Sequence, residues 1–147
     1  MSNQFDFDPP APLRTAEFHL EPLGVEHNER DYEAWTSSME HIRATPGFAH
    51  HPWPHPMTLA ENRSDIAMHA QEFIDRAGYT YSILDGEQVI GCVYINPPKE
   101  PVEGDAKLRS WVRASRAESD APIRAALRAW LLGPDWPFET ISYPSGP

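Results

Sequence analysis

The chain is poor in cysteine, poor in basic charge and without long apolar runs. Its one cysteine, Cys92, excludes a disulfide framework and a multi-cysteine zinc site. With 12 Lys and Arg against 22 Asp and Glu, the formal net charge is -10. Such a balance argues against nucleic acid as a partner, because phosphate neutralisation calls for a basic face. No apolar stretch approaches the roughly 18–20 residues of a spanning helix, which argues against a membrane protein. The first fifteen residues lack the basic and apolar regions of a signal peptide, so the expected location is the cytoplasm.

What is present is bulk and proline. A chain of 147 residues is expected to form one domain, removing roughly 68–70% of the unfolded chain's surface from water. Five Trp, five Tyr and six Phe supply material for its core. Sixteen prolines are about twice the usual 5% of residues. They cluster at Pro9–Pro12, Pro46–Pro56, Pro97–Pro101 and Pro134–Pro137. Proline lacks a backbone donor and breaks helix interiors, so these clusters punctuate the elements. Residues 1–15 read as a proline-rich N-terminal extension and 16–147 as the single domain.

Between the clusters, Glu17 to Glu21 alternates as a half-buried strand does. Tyr32, Trp35, Met39 and Ile42 recur at helical spacing and predict one helix from Asn28 to Ala44. Thr58 and Glu61 have the spacing of a capping box that opens a second helix. Tyr79–Leu84 and Val89–Ile95 read as strands joined through Asp85-Gly86, a tight-turn pair. A third strand is expected from Ala106 to about Ser115. A helix follows, capped by Ser119 or Asp120, with Ile123, Leu127, Trp130 and Leu131 as its apolar stripe. Glu139 to Tyr143 reads as a short last strand. The expected fold class is α/β (α+β), a mixed, largely antiparallel sheet with helices on both faces.

This order, with the segments VIGCVYINPP (Val89–Pro98) and LRSWVRASRAESDAPIRAALRAWLL (Leu108–Leu132), resembles the GCN5-related N-acetyltransferase family. The resemblance runs from about Glu17 to Tyr143 and implies an acyl-CoA N-acyltransferase-like fold. In that family the second segment holds a strand, a phosphate-binding loop of the form [Q/R]-x-x-G-x-[G/A], and a helix. Glycines there let backbone N–H groups face a pyrophosphate at the helix N-terminus. Arg116 to Ala121 fits the spacing with Ser119 in place of the glycine; a register slipped by one puts Glu118, Asp120 and Pro122 at the family's glycine positions. From Lys107 to Arg128 there are six basic and two acidic residues, a local +4 that leaves -14 elsewhere. Arginines can pair bidentately with phosphate, or they can form ion pairs with the acidic remainder.

The resemblance implies an acetyl-CoA-dependent N-acetyltransferase acting on a small-molecule or peptide amine. It puts the cofactor on Val112, Arg113, Ala114, Arg116, Ser119, Asp120, Ala121, Ile123 and Arg124, between the third and last strands. Family members often carry a general-acid tyrosine on a further helix; here Tyr143 stands nearest that place. Glu118 is the carboxylate candidate for the base, with His69 or a loop histidine acting through water. The loop His50-His51-Pro52-Trp53-Pro54-His55 borders the acceptor pocket in the family, which makes Trp53, His51 and His55 candidate substrate contacts. As a metal site this loop lacks a completing ligand, and no metal is expected. Cys92, in an apolar strand, reads as a small hydrophobe. The sheet face that the family's extra helix covers is expected to be covered by a second subunit, as in a homodimer, or by Phe5, Phe7 and Leu13. The alternative is a non-catalytic ligand-binding or dimeric interaction module that has lost the pyrophosphate loop.

Overall fold

A computed structural model describes residues 4–144; the first three residues of the expected extension and Ser145-Gly146-Pro147 lie outside them. The elements are β1 (His19–Pro22), α1 (Asn28–Thr36), α2 (Met39–Arg43), α3 (Leu59–Ile74), β2 (Tyr79–Asp85), β3 (Gln88–Asn96), β4 (Ala106–Val112), α4 (Asp120–Leu131) and β5 (Ile141–Ser142). The sheet runs β1-β2-β3-β4-β5. Its pairs are antiparallel except the last, where β4 and β5 run parallel.

Strand alternation sends side chains to two cores. On one face, Tyr79, Tyr81, Val93, Ile95, Leu108 and Val112 meet the stripe of α4, all four of whose expected residues are buried. On the other, Cys92 and Trp111 meet Trp35 of α1, Ile42 of α2 and Ile66 of α3. Helices on both faces of a mixed sheet are what the sequence implied. Cys92 is buried there as a free thiol, its pKa pushed up by that burial. No helix among the described residues is long and apolar enough to cross a membrane.

The N-terminal stretch supplies the expected cover. Phe5 is buried, stacks on Tyr79 and touches Phe138, while Phe7 meets Trp136 edge-on. Backbone bonds anchor it: Phe5 N–H donates to the Arg76 carbonyl at 2.8 Å, and the Tyr79 hydroxyl to that of Phe7 at 2.6 Å.

Several boundaries differ from the sequence reading, each for a local reason. The single helix expected over Asn28 to Ala44 is two, because it breaks at Ser37-Ser38. Serine hydroxyls compete for backbone groups: Ser37 Oγ donates to the Ala34 carbonyl, and Ser38 Oγ accepts from Ala114 N–H at 2.9 Å. β1 begins at His19, not Glu17, since Thr15 Oγ1 takes the Glu17 and Phe18 N–H groups into a turn. β4 ends at Val112, not Ser115, where a 3-10 turn over Ala114–Ser119 begins. β5 is shorter than Glu139–Tyr143 because the Asp105 carboxylate takes the Glu139 and Thr140 N–H groups at 2.8 and 3.1 Å. Ser119 stands at the α4 N-cap with helical backbone angles and makes no side-chain cap, and Asp120 does not cap either. The 3-10 turn runs straight into the helix, and Asp120 N–H is taken by the Ala117 carbonyl. The Thr58–Glu61 capping box forms as expected, with bonds of 2.8 and 3.1 Å.

Candidate active site

The parallel β4–β5 pair is short. Ala106 pairs with Ile141 and Lys107 with Ser142, after which β4 runs on through Val112 while β5 ends. Among the described residues, the β5 side of β4 is therefore without a strand partner from Leu108 onward. Past β5, the Tyr143 hydroxyl bonds the Ser110 hydroxyl of β4. Its ring lies beneath two guanidiniums of α4, Arg124 at 4.3 Å and Arg128 at 5.3 Å from the centroid. The Arg128 guanidinium also donates to the Tyr143 carbonyl at 3.4 Å. A buried junction of β4, Tyr143 and the start of α4 results, with Ser110 and Tyr143 closed off from solvent.

Its polar groups are unevenly satisfied. Both Nη atoms of Arg124 are enclosed without a hydrogen-bond partner among the described residues, and so is Asp120 Oδ1. Leaving a buried cation unpaired is costly, so the position suits an incoming anion. Burial raises the Asp120 carboxyl pKa, with Arg124 pulling the other way. Burial also raises Tyr143, against the bond to Ser110, so the phenol holds its proton across the neutral range.

The other arginines of the stretch are already engaged. Arg113 is buried; its Nη2 reaches Glu33 at 2.6 and 2.9 Å, its Nη1 the Val89 carbonyl, and its Nε Ser115. Arg116 bonds Asp85 at 2.7 Å and Gln88 at 3.1 Å, beside the β2–β3 turn. Val112 and Ile123 are buried in the core, while Ala114, Glu118 and Ala121 are exposed and Ser119 half-buried. The structure thus brings Tyr143, Asp120 and Arg124 together and sends Arg113 and Arg116 to separate carboxylates.

The opposite face of β4 presents Arg109 and Trp111 to the loop after α2. Trp53 lies half-buried among Trp35, Phe48 and Trp111, at centroid distances of 5.3, 5.9 and 5.8 Å. His51 Nδ1 accepts from Trp53 N–H at 3.1 Å, and burial, then the nearby Arg109 charge, lowers the imidazole pKa. Trp53, His51 and His55 share the lining of a cavity of about 280 Å³ with Arg109 and Asp31. A second cavity, of about 830 Å³, shares His51, His69, Tyr94 and Arg109 with it.

Asp31 is a residue the sequence reading missed. It is buried, and its Oδ2 accepts from Asn62 Nδ2 at 3.1 Å, while Asn62 Oδ1 takes the Trp35 indole N–H at 3.0 Å. Burial raises its pKa to about 6, with the Asn62 bond working against the rise. The signal was spacing: Asn28, Asp31 and Trp35 fall at i, i+3 and i+7, so two polar residues sit on the buried stripe of α1. Arg109 was legible only as charge, because its environment is set by Phe48 and Tyr94 from distant segments.

No protein-family model and no curated protein sequence matches the chain. Solved structures do. RimL, a ribosomal L7/L12 alpha-N-protein acetyltransferase, aligns with a TM-score of 0.63 at 12% identity, over 86% of this chain and 68% of its own. The ribosomal-protein-S5-alanine acetyltransferase from Vibrio fischeri gives 0.62 at 9% identity, over 83% and 67%. The microcin C7 self-immunity acetyltransferase MccE, solved with acetyl-CoA and AMP, gives 0.60 at 13%, over 81% and 64%. The chain spans about two thirds of the length of these proteins. Identities this low speak to architecture alone. On that architecture, the chain has the fold of the GCN5-related N-acetyltransferases.

Proposed function

We propose that the chain is an N-acetyltransferase that takes its acetyl group from acetyl-CoA and transfers it to a small-molecule or peptide amine. The observation that carries this reading is the stretch of β4 left unpaired, among the described residues, beyond the two-residue β4–β5 pairing, with the Arg124 Nη atoms enclosed and without a hydrogen-bond partner there on the α4 side. Acetyl-CoA supplies an acetyl thioester together with phosphates. Arg124 is the residue we assign to phosphate, since its fork has both Nη atoms to offer. Asp120, Ser119 and Ala121 stand with it at the start of α4, where the helix dipole favours an anion. Val112, Arg113, Ala114, Arg116 and Ile123 complete the lining in this proposal, and Arg116 adds its charge only when it leaves Asp85.

Tyr143, the acid that the resemblance implies, lies directly beneath Arg124, so with the phosphates on Arg124 it does not also reach a thiolate at the far end of the pantetheine arm. Its phenol, held by Ser110, instead packs the Arg124 guanidinium in place. Asp31 and Glu118 are the two candidate bases. Asp31 favours the role because it faces the cavity and titrates near neutrality, close to the optimum for proton transfer. Trp53, His51 and His55 line the proposed acceptor side.

Release of free thiol from acetyl-CoA, followed with a panel of amines and amine-bearing peptides, tests the reading. Amine-dependent release is expected, with Arg124→Gln raising the KM for acetyl-CoA at least tenfold. Glu118→Gln against Asp31→Asn separates the two carboxylates. No release above the hydrolysis background with any acceptor overturns the enzyme. One set of observations favours a non-catalytic ligand-binding module instead. The loop has no glycine, Arg113 and Arg116 are tied to carboxylates, and the Tyr143–Ser110 bond ties β4 to the segment after β5. Acetyl-CoA binding without turnover is that reading's outcome.

A further inference from the structure

Arg109 is a cation in an apolar setting with no carboxylate to answer it among the described residues. Its guanidinium lies between the rings of Phe48 and Tyr94, 5.0 and 5.1 Å from their centroids. Its aliphatic stem lies against Gly47, whose φ of +97° suits glycine and whose added Cβ would stand 3.2 Å from Arg109 Cγ. Nη1 is enclosed and has no hydrogen-bond partner among the described residues.

The nearby carboxylates are engaged elsewhere: Glu72 with His69, Glu103 with Lys107, and Asp31 with Asn62. Two aromatic faces return only part of what desolvating an unpaired guanidinium costs. The balance is recovered when an anion docks. Lys99 and Lys107 line the same larger cavity with Glu72, and Lys107 is paired with Glu103. Although the chain carries -10 overall, Lys99 and Arg109 outnumber Glu72 in this lining. A bare cationic amine is therefore poorly served beside Arg109.

We propose that Arg109 binds the carboxylate of the molecule taken into this cavity, which makes that molecule an amino acid or short peptide with a free carboxylate and an apolar side chain. The guanidinium fork matches a carboxylate in two parallel bonds. Phe48, Trp53, Tyr94 and Met68 give the apolar surround. An inner cavity of about 280 Å³ lies at the small end of ligand sites and fits one side chain. That this molecule is the acetyl acceptor rests on the acetyltransferase reading; the carboxylate site itself does not.

Calorimetric titration without acetyl-CoA tests it. The probes are the N-acetyl derivatives of phenylalanine, leucine and methionine, each as the free acid and as the carboxamide. At least one acid is expected to bind the wild-type chain tenfold or more tightly than its amide. Arg109→Gln should abolish that difference. Should the variant fail to fold, the acid–amide comparison on the wild type decides alone. Equal binding of acid and amide in all three pairs, no heat from any, or a preference that survives Arg109→Gln overturns the proposal. A separate titration with acetyl-CoA keeps the two readings apart. Acid preference without cofactor binding sinks only the acetyltransferase, and cofactor binding without acid preference sinks only the carboxylate site.

Discussion

Replacing Gly91 with alanine is expected to cost about 3 kcal/mol or more of stability. Gly91 lies in β3 directly opposite Val112 of β4. A Cβ there would stand 2.2 Å from the Trp111 carbonyl oxygen and 3.2 Å from Val112 Cα. Both are backbone atoms, so no rotamer change relieves the contact. On its other side Gly91 pairs with Ile83, beside the β2–β3 irregularity at Ile83/Leu84, which leaves little freedom to shift the strand. The end of β4 must give way instead, and Arg113 N–H would lose its bond to the Ile90 carbonyl, now 2.8 Å. Urea unfolding should show a much lower midpoint with an unchanged m-value. A loss within about 0.5 kcal/mol, the range of an ordinary surface change, contradicts the tight β3–β4 approach.

Asp31→Asn is expected to move stability and activity in opposite directions. The folded pKa of about 6 lies above the ordinary value of 3.8, because burial disfavours the charged carboxylate. Folding therefore draws its full benefit from this group only below pH 4, where the carboxyl is protonated in both states. That benefit is lost as pH rises through about 6. The loss amounts to on the order of 2–3 kcal/mol at neutral pH. Asparagine removes the charge and keeps an oxygen for Asn62 Nδ2. The variant should thus melt higher than wild type at pH 8, and the difference should vanish near pH 4. If Asp31 is the base, the same variant loses at least a hundredfold in kcat/KM. Its pH profile should also lose the wild-type limb near pH 6. A variant less stable than wild type at pH 8 would show that the negative charge is itself held by the fold.

Local chemistry made much of the fold legible. The α4 stripe, the Thr58–Glu61 box and the strands either side of Asp85-Gly86 each depend on residues within a few positions, and each formed. The break at Ser37-Ser38 was less legible, because one serine spends its hydroxyl on Ala114, 76 residues away. The candidate site was legible as charge and not as geometry. Six basic residues between Lys107 and Arg128 look alike in sequence. Their roles diverge through distant partners: Arg113 meets Glu33, Arg116 meets Asp85, and the Arg109 guanidinium meets the Phe48 and Tyr94 rings. Arg124 is left facing Tyr143 with its donors unspent. Asp31 was visible as a polar residue on an apolar helical stripe, but its partner Asn62 lies 31 positions away on α3.

The central claim is that acetyl-CoA binds along the stretch of β4 beyond the β4–β5 pairing with Arg124 on its phosphates. Calorimetric titration of acetyl-CoA into the wild-type chain and into Arg124→Gln tests it most directly. Saturable binding by the wild type, weakened at least tenfold in the variant, is the predicted result. No heat up to high micromolar acetyl-CoA, or equal affinity in the two proteins, would contradict it.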